Sequence, residues 1–266
     1  MSANRKQTRG RSPGREPFSE AAPKVDFLVC GVKKAGTSAL DQYLRLHEDI
    51  TMANWKEVHY FDRDENFLGA VDHRKYHAAF PEKPNDALMG ESTPSYIYWN
   101  DAPRRIWEYN NLMKLIVVLR NPIERAFSDW CMEYARGNEK VCFSDAIRME
   151  ADRVRSQLPR QSRLHSYVDR GRYVPQLRRL WFFFGRDGVI VLRYEKLRRQ
   201  PREALNEVFR FLNIPGFGSV DQIIVNSGRY QEPMKLEDKR YLRCIFEFEV
   251  RQLERELGWD CADWLE

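Results

Sequence analysis

The chain has 266 residues, 42% hydrophobic and 13% aromatic, enough to bury one substantial core without demanding a second domain. Its charged residues, 31% of the total, are interspersed rather than blocked, which excludes a disordered chain, and a net charge of +5 suits a basic cleft for an anion better than wholesale nucleic-acid binding. Cys30, Cys131, Cys142, Cys244 and Cys261 are odd in number, widely spaced and without a CxxC pair, so reduced thiols are expected rather than a disulfide framework or a zinc site.

Residues 1–23 are basic and rich in Gly, Pro and Ser, with no apolar run of the signal-peptide kind, and read as a disordered lead-in to one domain over 24–266. Val25 to Cys30 is apolar apart from Asp26, as a buried parallel strand is, and runs into the loop GVKKAGTSAL. Beyond it Ala39, Leu40, Tyr43, Leu44 and Leu46 fall on a broad helical face, giving a strand, phosphate-sized loop and helix in succession. Further strands are predicted at Ala87 to Gly90, Lys114 to Leu119 and Gly188 to Leu192. Helices are predicted at Pro122 to Arg136, Tyr173 to Phe184, Pro201 to Leu212 and Glu237 to Leu257, the last with an apolar stripe through Tyr241, Ile245, Phe248 and Leu253. The alternation predicts an α/β fold, a single P-loop-like domain with a central parallel sheet flanked by helices and ligands at the strands' carboxyl ends. The most apolar stretch, Leu112 to Leu119, contains Lys114 and falls far short of the roughly 20 residues of a membrane span.

A nucleoside-triphosphate loop of the usual kind reads GxxxxGK[ST], with the lysine after the second glycine. Here Gly31 and Gly36 keep the spacing and Thr37 and Ser38 follow, but Lys33 and Lys34 lie inside the loop and no lysine follows Gly36. The backbone can still cradle an anion at a helix N-terminus. The strand KLIVVLR ends in Arg120 rather than in the acidic metal ligand of a magnesium-dependent phosphotransferase. A cation there, with Ser128 in the following helix, suits a second phosphate, and two phosphate sites point to a bisphosphorylated nucleotide.

The motifs GVKKAGTSAL, KEVHYFD, STPSY and LIVVLRNPIERAFSDW occur in the order seen in sulfotransferases that use 3′-phosphoadenosine 5′-phosphosulfate (PAPS). The chain resembles most the heparan-sulfate sulfotransferase branch and its bacterial relatives, from about Val25 onward and most strongly up to Trp130. The resemblance implies that Lys34, Ala35, Gly36, Thr37 and Ser38 surround the 5′-phosphosulfate, that Arg120 and Ser128 hold the 3′-phosphate, and that the product is adenosine 3′,5′-bisphosphate. It places the general base at Glu57, with His59 beside it in a catalytic, positioning or packing role. If that segment is extended, Glu57 and His59 share one face by the period of two, and Lys56 is a surface charge.

One departure is GESTPSY, with Ser92 where many heparan-type enzymes carry a lysine, which leaves Lys33 or Lys34 to supply that charge. Tyr96, Tyr98 and Trp99 read as core or as a surface for sugar stacking. The resemblance also offers Tyr173 as a contact to nucleotide or acceptor, and Ser227, Gly228 and Arg229 as contacts to the 3′-phosphate or adenine, a plain surface turn being the alternative for these three. The expected activity is in-line sulfuryl transfer to a hydroxyl or amino group, most readily of a saccharide, without a metal. A P-loop kinase or ATPase and a non-catalytic nucleotide- or glycan-binding module are the competing readings. The composition favours a cytoplasmic enzyme over a Golgi-lumen catalytic domain lacking its anchor; no nucleic-acid partner is expected.

Overall fold

The first apolar run becomes the centre of the sheet. In the computed structural model, which describes residues 24–82, 86–217 and 233–266, β1 (Phe27–Gly31) pairs with β3 (Leu88–Ser92) on one side and β4 (Lys114–Leu119) on the other. β2 (Ile50–Met52) extends the sheet beyond β3 and β5 (Val189–Arg193) beyond β4, giving the order β2-β3-β1-β4-β5, parallel throughout. Strands covered on both faces must be apolar along their length, and Phe27 to Cys30 and Leu115 to Leu119 have no exposed surface. All the strands expected from sequence are present within about two residues. β2 was not expected, because three residues are too few to display a period.

The helices are α1 (Thr37–Arg45), α2 (Arg74–His77), α3 (Ala102–Tyr109), α4 (Pro122–Ala135), α5 (Phe143–Arg155), α6 (Tyr173–Phe184), α7 (Tyr194–Arg199), α8 (Pro201–Leu212) and α9 (Leu236–Leu257). α4 starts where Asn121 accepts from the amides of Ile123 and Glu124 and Pro122 supplies a preset first turn. The unexpected α3 and α5 bury polar residues on their inner faces, Arg105 and Glu150, which breaks their apolar pattern in sequence.

The stripe expected on α9 is corrected. Its buried apolar residues are Leu242, Phe246, Val250 and Leu253, the last as expected, and Ile245 packs half-buried against the core, while Phe248 is 68% exposed and Tyr241 lies outside, under the Arg148 guanidinium. Phe246 takes the inner position because Gly171 offers no side chain there; a Cβ on Gly171 would meet its ring at 2.6 Å.

The same close fit holds inside the sheet, where a Cβ on Gly90 would lie 2.2 Å from Phe27 Cζ, in a ring with no exposed surface. Gly90→Ala is therefore expected to lower unfolding stability by about 1–3 kcal/mol through overpacking. Urea denaturation checks this, and an unchanged midpoint would mean that the Phe27 ring can move aside freely.

Candidate active site

β1 delivers the chain into the glycine loop. Lys34 (φ 72°) and Gly36 (φ 83°) adopt left-handed backbone, and α1 begins at Gly36 with no side-chain cap and no acid in its first turn. The first-turn amides and the helix dipole are thus left to an anion. Gly36 also cannot carry a side chain, since a Cβ would come 2.9 Å from the Tyr194 ring. Ala35 and Thr37 are buried and Ser38 is half-buried.

The two lysines of the loop part company. Lys33 Nζ lies 2.9 Å from Asp129 Oδ1 and 2.8 Å from Glu133 Oε1, both carboxylates buried on α4. Lys34 Nζ donates to Met132 Sδ at 3.6 Å, a weak acceptor. Burial pulls the Lys34 ammonium below the ordinary lysine pKa, with Asp129 opposing and Lys33, Arg120 and Arg136 reinforcing.

At the end of β4 the Arg120 guanidinium sits over the Tyr194 ring, 4.9 Å from its centroid, and donates to the Lys34 carbonyl at 3.2 Å. Tyr173, expected as a ligand contact, is 1% exposed and donates to the Arg120 carbonyl at 2.8 Å, so its hydroxyl is spent on the strand end. Ser128 is buried on α4, seven residues along from Asn121. Tyr194 escaped the sequence reading, although it follows β5 as Arg120 follows β4; it fills the space between Gly36 and Arg120. Ser227, Gly228 and Arg229 lie outside the described residues.

The segment around Glu57 is not extended, so the condition for a shared strand face is not met. Glu57 (φ 66°) and His59 (φ 54°) are both left-handed, a strained choice for side chains of this kind that persists only where surroundings impose it. The chain leaving β3 imposes it: the Glu57 amide donates to the Ser92 carbonyl at 2.9 Å, His59 N to Thr93 Oγ1 at 3.4 Å and Tyr60 N to the Tyr96 hydroxyl at 2.9 Å. The two side chains still meet, His59 Nε2 standing 3.4 Å from Glu57 Oε2. Lys56 is not a free surface charge, since its Nζ lies 2.8 Å from Glu57 Oε1. Behind them the buried Asp62 accepts at Oδ2 from His59 Nδ1 (2.8 Å) and from the Ser95 hydroxyl (2.6 Å). Asp62 closes the KEVHYFD motif and was not singled out in sequence; its spacing of three from His59 was the available signal.

Hydrogen bonding to Asp62, then to Glu57, raises the His59 pKa to about 9 against the opposing effect of burial. The His59 hydrogen bond, with help from Lys56 and against burial, lowers Glu57 to about 2. At neutral pH the centre is an imidazolium between two carboxylates.

Glu57 and His59 line a pocket of about 210 Å³ with Lys33, Arg136, Arg163 and Arg170. It shares Trp99, Arg163 and Leu164 with a cleft of about 730 Å³ that also touches Arg160, Gln161 and His165. Arg163 stacks on Trp99 at 4.4 Å and binds the Asp62 carbonyl. Of the aromatic cluster, Tyr96 and Tyr98 are core, their hydroxyls held by Glu91 and Asp169, and Trp99 is the member that reaches the cleft. Ser92 is buried, and its hydroxyl has no partner among the described residues. No group of three or more His, Cys, Asp or Glu among those residues could hold a metal ion, and no helix there is long and apolar enough to cross a membrane.

A parallel sheet with an uncapped glycine loop at its central strand and a carboxylate–imidazolium pair across the same edge defines a P-loop-like α/β protein with a group-transfer type of site. The sulfotransferase domain profile matches residues 24–243, and the chain belongs to the sulfotransferase family. It is 41% identical over 125 residues to heparan sulfate glucosamine 3-O-sulfotransferase 6 of Homo sapiens, a stretch covering 47% of this chain and 33% of that one. It is 27% identical over 190 residues to heparan sulfate glucosamine 3-O-sulfotransferase 5 of Mus musculus, covering 71% and 53%. The matches thus span a third to about half of these relatives' lengths. The crystal structure of a sulfotransferase from Alicyclobacillus acidocaldarius superposes with a TM-score of 0.80 at 26% identity, covering 92% of this chain and all of that one.

Because the folded pKa of His59 lies above its ordinary value of about 6.5, the stabilisation from its charged form is fully present below that pH and lost as pH rises through about 9. NMR titration of the ring should give a midpoint near 9, and Asp62→Asn should bring it down by removing the first cause of the shift. A midpoint that stays put in Asp62→Asn would detach Asp62 from His59.

Proposed function

We propose that the chain transfers a sulfuryl group from PAPS to a hydroxyl or amino group of a saccharide acceptor, with Glu57 as general base. The observation that carries this reading is the placement of the ionised Glu57, backed by His59 and Asp62, in a pocket that Lys33 of the glycine loop also lines. PAPS, when bound, supplies a sulfuryl group already activated by a phosphate leaving group. The uncapped start of α1 and the left-handed Lys34–Gly36 turn fit its 5′ end, and Arg120, propped on Tyr194, with Ser128 fits the 3′-phosphate. These residues match the two-phosphate ligand better than a triphosphate.

Glu57 takes the proton of the attacking oxygen or nitrogen as the new bond to sulfur forms. The acceptor competes with Lys56 for Oε1, while the His59 imidazolium at Oε2 keeps the carboxylate aimed and ionised. Lys34, poorly solvated and bound among the described residues only to a thioether, can neutralise the phosphate oxygen on which charge develops. The acceptor is read as a saccharide because heparan-sulfate enzymes are among the relatives and because the adjoining cleft presents Trp99 beside Arg160, Arg163 and His165.

Glu57→Gln keeps size and hydrogen-bonding reach but removes the basic carboxylate. Transfer of labelled sulfate to heparan sulfate oligosaccharides should fall by about 10²–10⁴-fold, with affinity for adenosine 3′,5′-bisphosphate within a small factor of wild type. Near-wild-type transfer by a folded Gln variant would remove Glu57 from the mechanism.

Arg120→Ala and Ser128→Ala should each cost about 1.5–3 kcal/mol in calorimetric affinity for the bisphosphate and leave binding of adenosine 5′-phosphate nearly unaltered. Equal losses for the two nucleotides would make the residues structural.

A further inference from the structure

Beneath the catalytic turn lies a carboxylate that the mechanism does not use. Glu91 on β3 has no exposed surface and accepts three hydroxyl protons: from Tyr76 at 3.1 Å and Tyr96 at 2.8 Å on Oε1, and from Thr93 at 2.6 Å on Oε2. Two of these hydroxyls have a second task. Thr93 Oγ1 accepts the His59 amide, and the Tyr96 oxygen accepts the Tyr60 amide. A hydroxyl has one proton to give, so its direction decides which way its lone pairs face. With Glu91 ionised and able only to accept, both protons point into the carboxylate and both lone pairs are left to the amides.

We propose that Glu91 is a positioning residue for the transfer reaction: through the Thr93 and Tyr96 hydroxyls it holds the left-handed turn that presents Glu57 and His59. The inference rests on the reading of Glu57 as the base, but concerns what keeps that base in place. It has a pH consequence. A protonated Glu91 donates to one of its three hydroxyls; where that is Thr93 or Tyr96, the hydroxyl proton must turn away from the carboxyl and its lone pairs are shared between Glu91 and an amide. Burial raises the Glu91 carboxyl to about 7, against the three hydrogen bonds, with nearby Asp62 reinforcing.

The charged and titratable groups around it are Tyr76 on α2, Tyr96 beyond β3, Tyr109 on α3, Cys30 on β1 and Asp62, and burial holds the tyrosine and cysteine protons well above neutrality. Glu91 is therefore the member of this cluster that changes state near pH 7. Activity and stability respond in opposite directions, because a carboxyl whose folded pKa is raised favours the folded state at low pH and loses that contribution as pH rises through about 7.

The test has an arm that needs no acceptor. In the full chain, the backbone amide signals of His59 and Tyr60 should shift with a common midpoint near pH 7, and Glu91→Gln should abolish that titration while adenosine 3′,5′-bisphosphate still binds. In the second arm, sulfate transfer to heparan sulfate oligosaccharides should fall by about tenfold as pH drops from 8 to 6, following the ionised fraction of a carboxyl with a midpoint near 7. Glu91→Gln should be slow and flat over that range. Thr93→Val, which keeps Glu91 but cuts one link, should also be slow at pH 8, and Thr93→Ser should restore the rate, so the relay stays testable if Glu91→Gln folds poorly. Amides that do not titrate near pH 7, or that titrate unchanged in Glu91→Gln, overturn the inference whatever Glu57→Gln does. Failure of Glu57→Gln to slow transfer overturns the base instead.

Discussion

Parallel pairing forces every strand to leave the sheet at the same edge, and the site follows from that constraint. β1 releases the glycine loop, β2 the segment with Glu57, β3 the Thr93–Trp99 stretch, β4 Arg120 and β5 Tyr194. Five pieces distant in sequence become neighbours without any long-range device beyond the ladder of the sheet. The apolar strands supply the driving force, and the polar ends, where the ladder stops, supply the chemistry.

What the strand ends leave loose, buried charges tie down. Lys33 joins the glycine loop to Asp129 and Glu133 on α4, and Arg125 on the same helix pairs with Asp129 at 3.1 Å and binds the Tyr167 carbonyl. Such ions contribute little net stability, but deleting one partner strands the others in a dry environment at a cost of about 3–5 kcal/mol. The network sets the loop at a fixed distance from the end of β4. Glu150 does the same for the loop before α6, accepting from the amides of Val168 and Asp169.

The sheet and its glycine loop were legible in sequence because long apolar runs and glycine spacing are local signals. Glu57 and His59 were found as a pair through the resemblance carried by KEVHYFD; the one-face alternation that an extended segment would give them is absent, and two left-handed residues deliver the meeting instead. Neither is glycine, so nothing local announces that backbone; it comes from Ser92, Thr93 and Tyr96, more than thirty residues away in sequence. Lys56 looked like solvent because its partner is its own neighbour in sequence, brought round by that turn. On α9 both sides of the helix carry large apolar residues, and the identity of the inner side was decided by Gly171 on another element. Tyr194 matters through Gly36 and Arg120, far from it in sequence, and Glu91 through hydroxyls that only the fold turns onto its carboxylate.

The cations on Glu57 bear on a reaction the molecule has to avoid. Lys56 occupies one carboxylate oxygen and His59 the other. If Glu57 is the base proposed above, a water molecule arriving without an acceptor meets a carboxylate already engaged on both sides and far below its ordinary basicity. Only a partner with enough contacts in the Trp99–Arg163 cleft recovers the free energy of separating Lys56 from Oε1. On the proposed reading, the ion pair makes Glu57 conditional on the acceptor and would protect an activated sulfuryl donor from being lost to hydrolysis between turnovers.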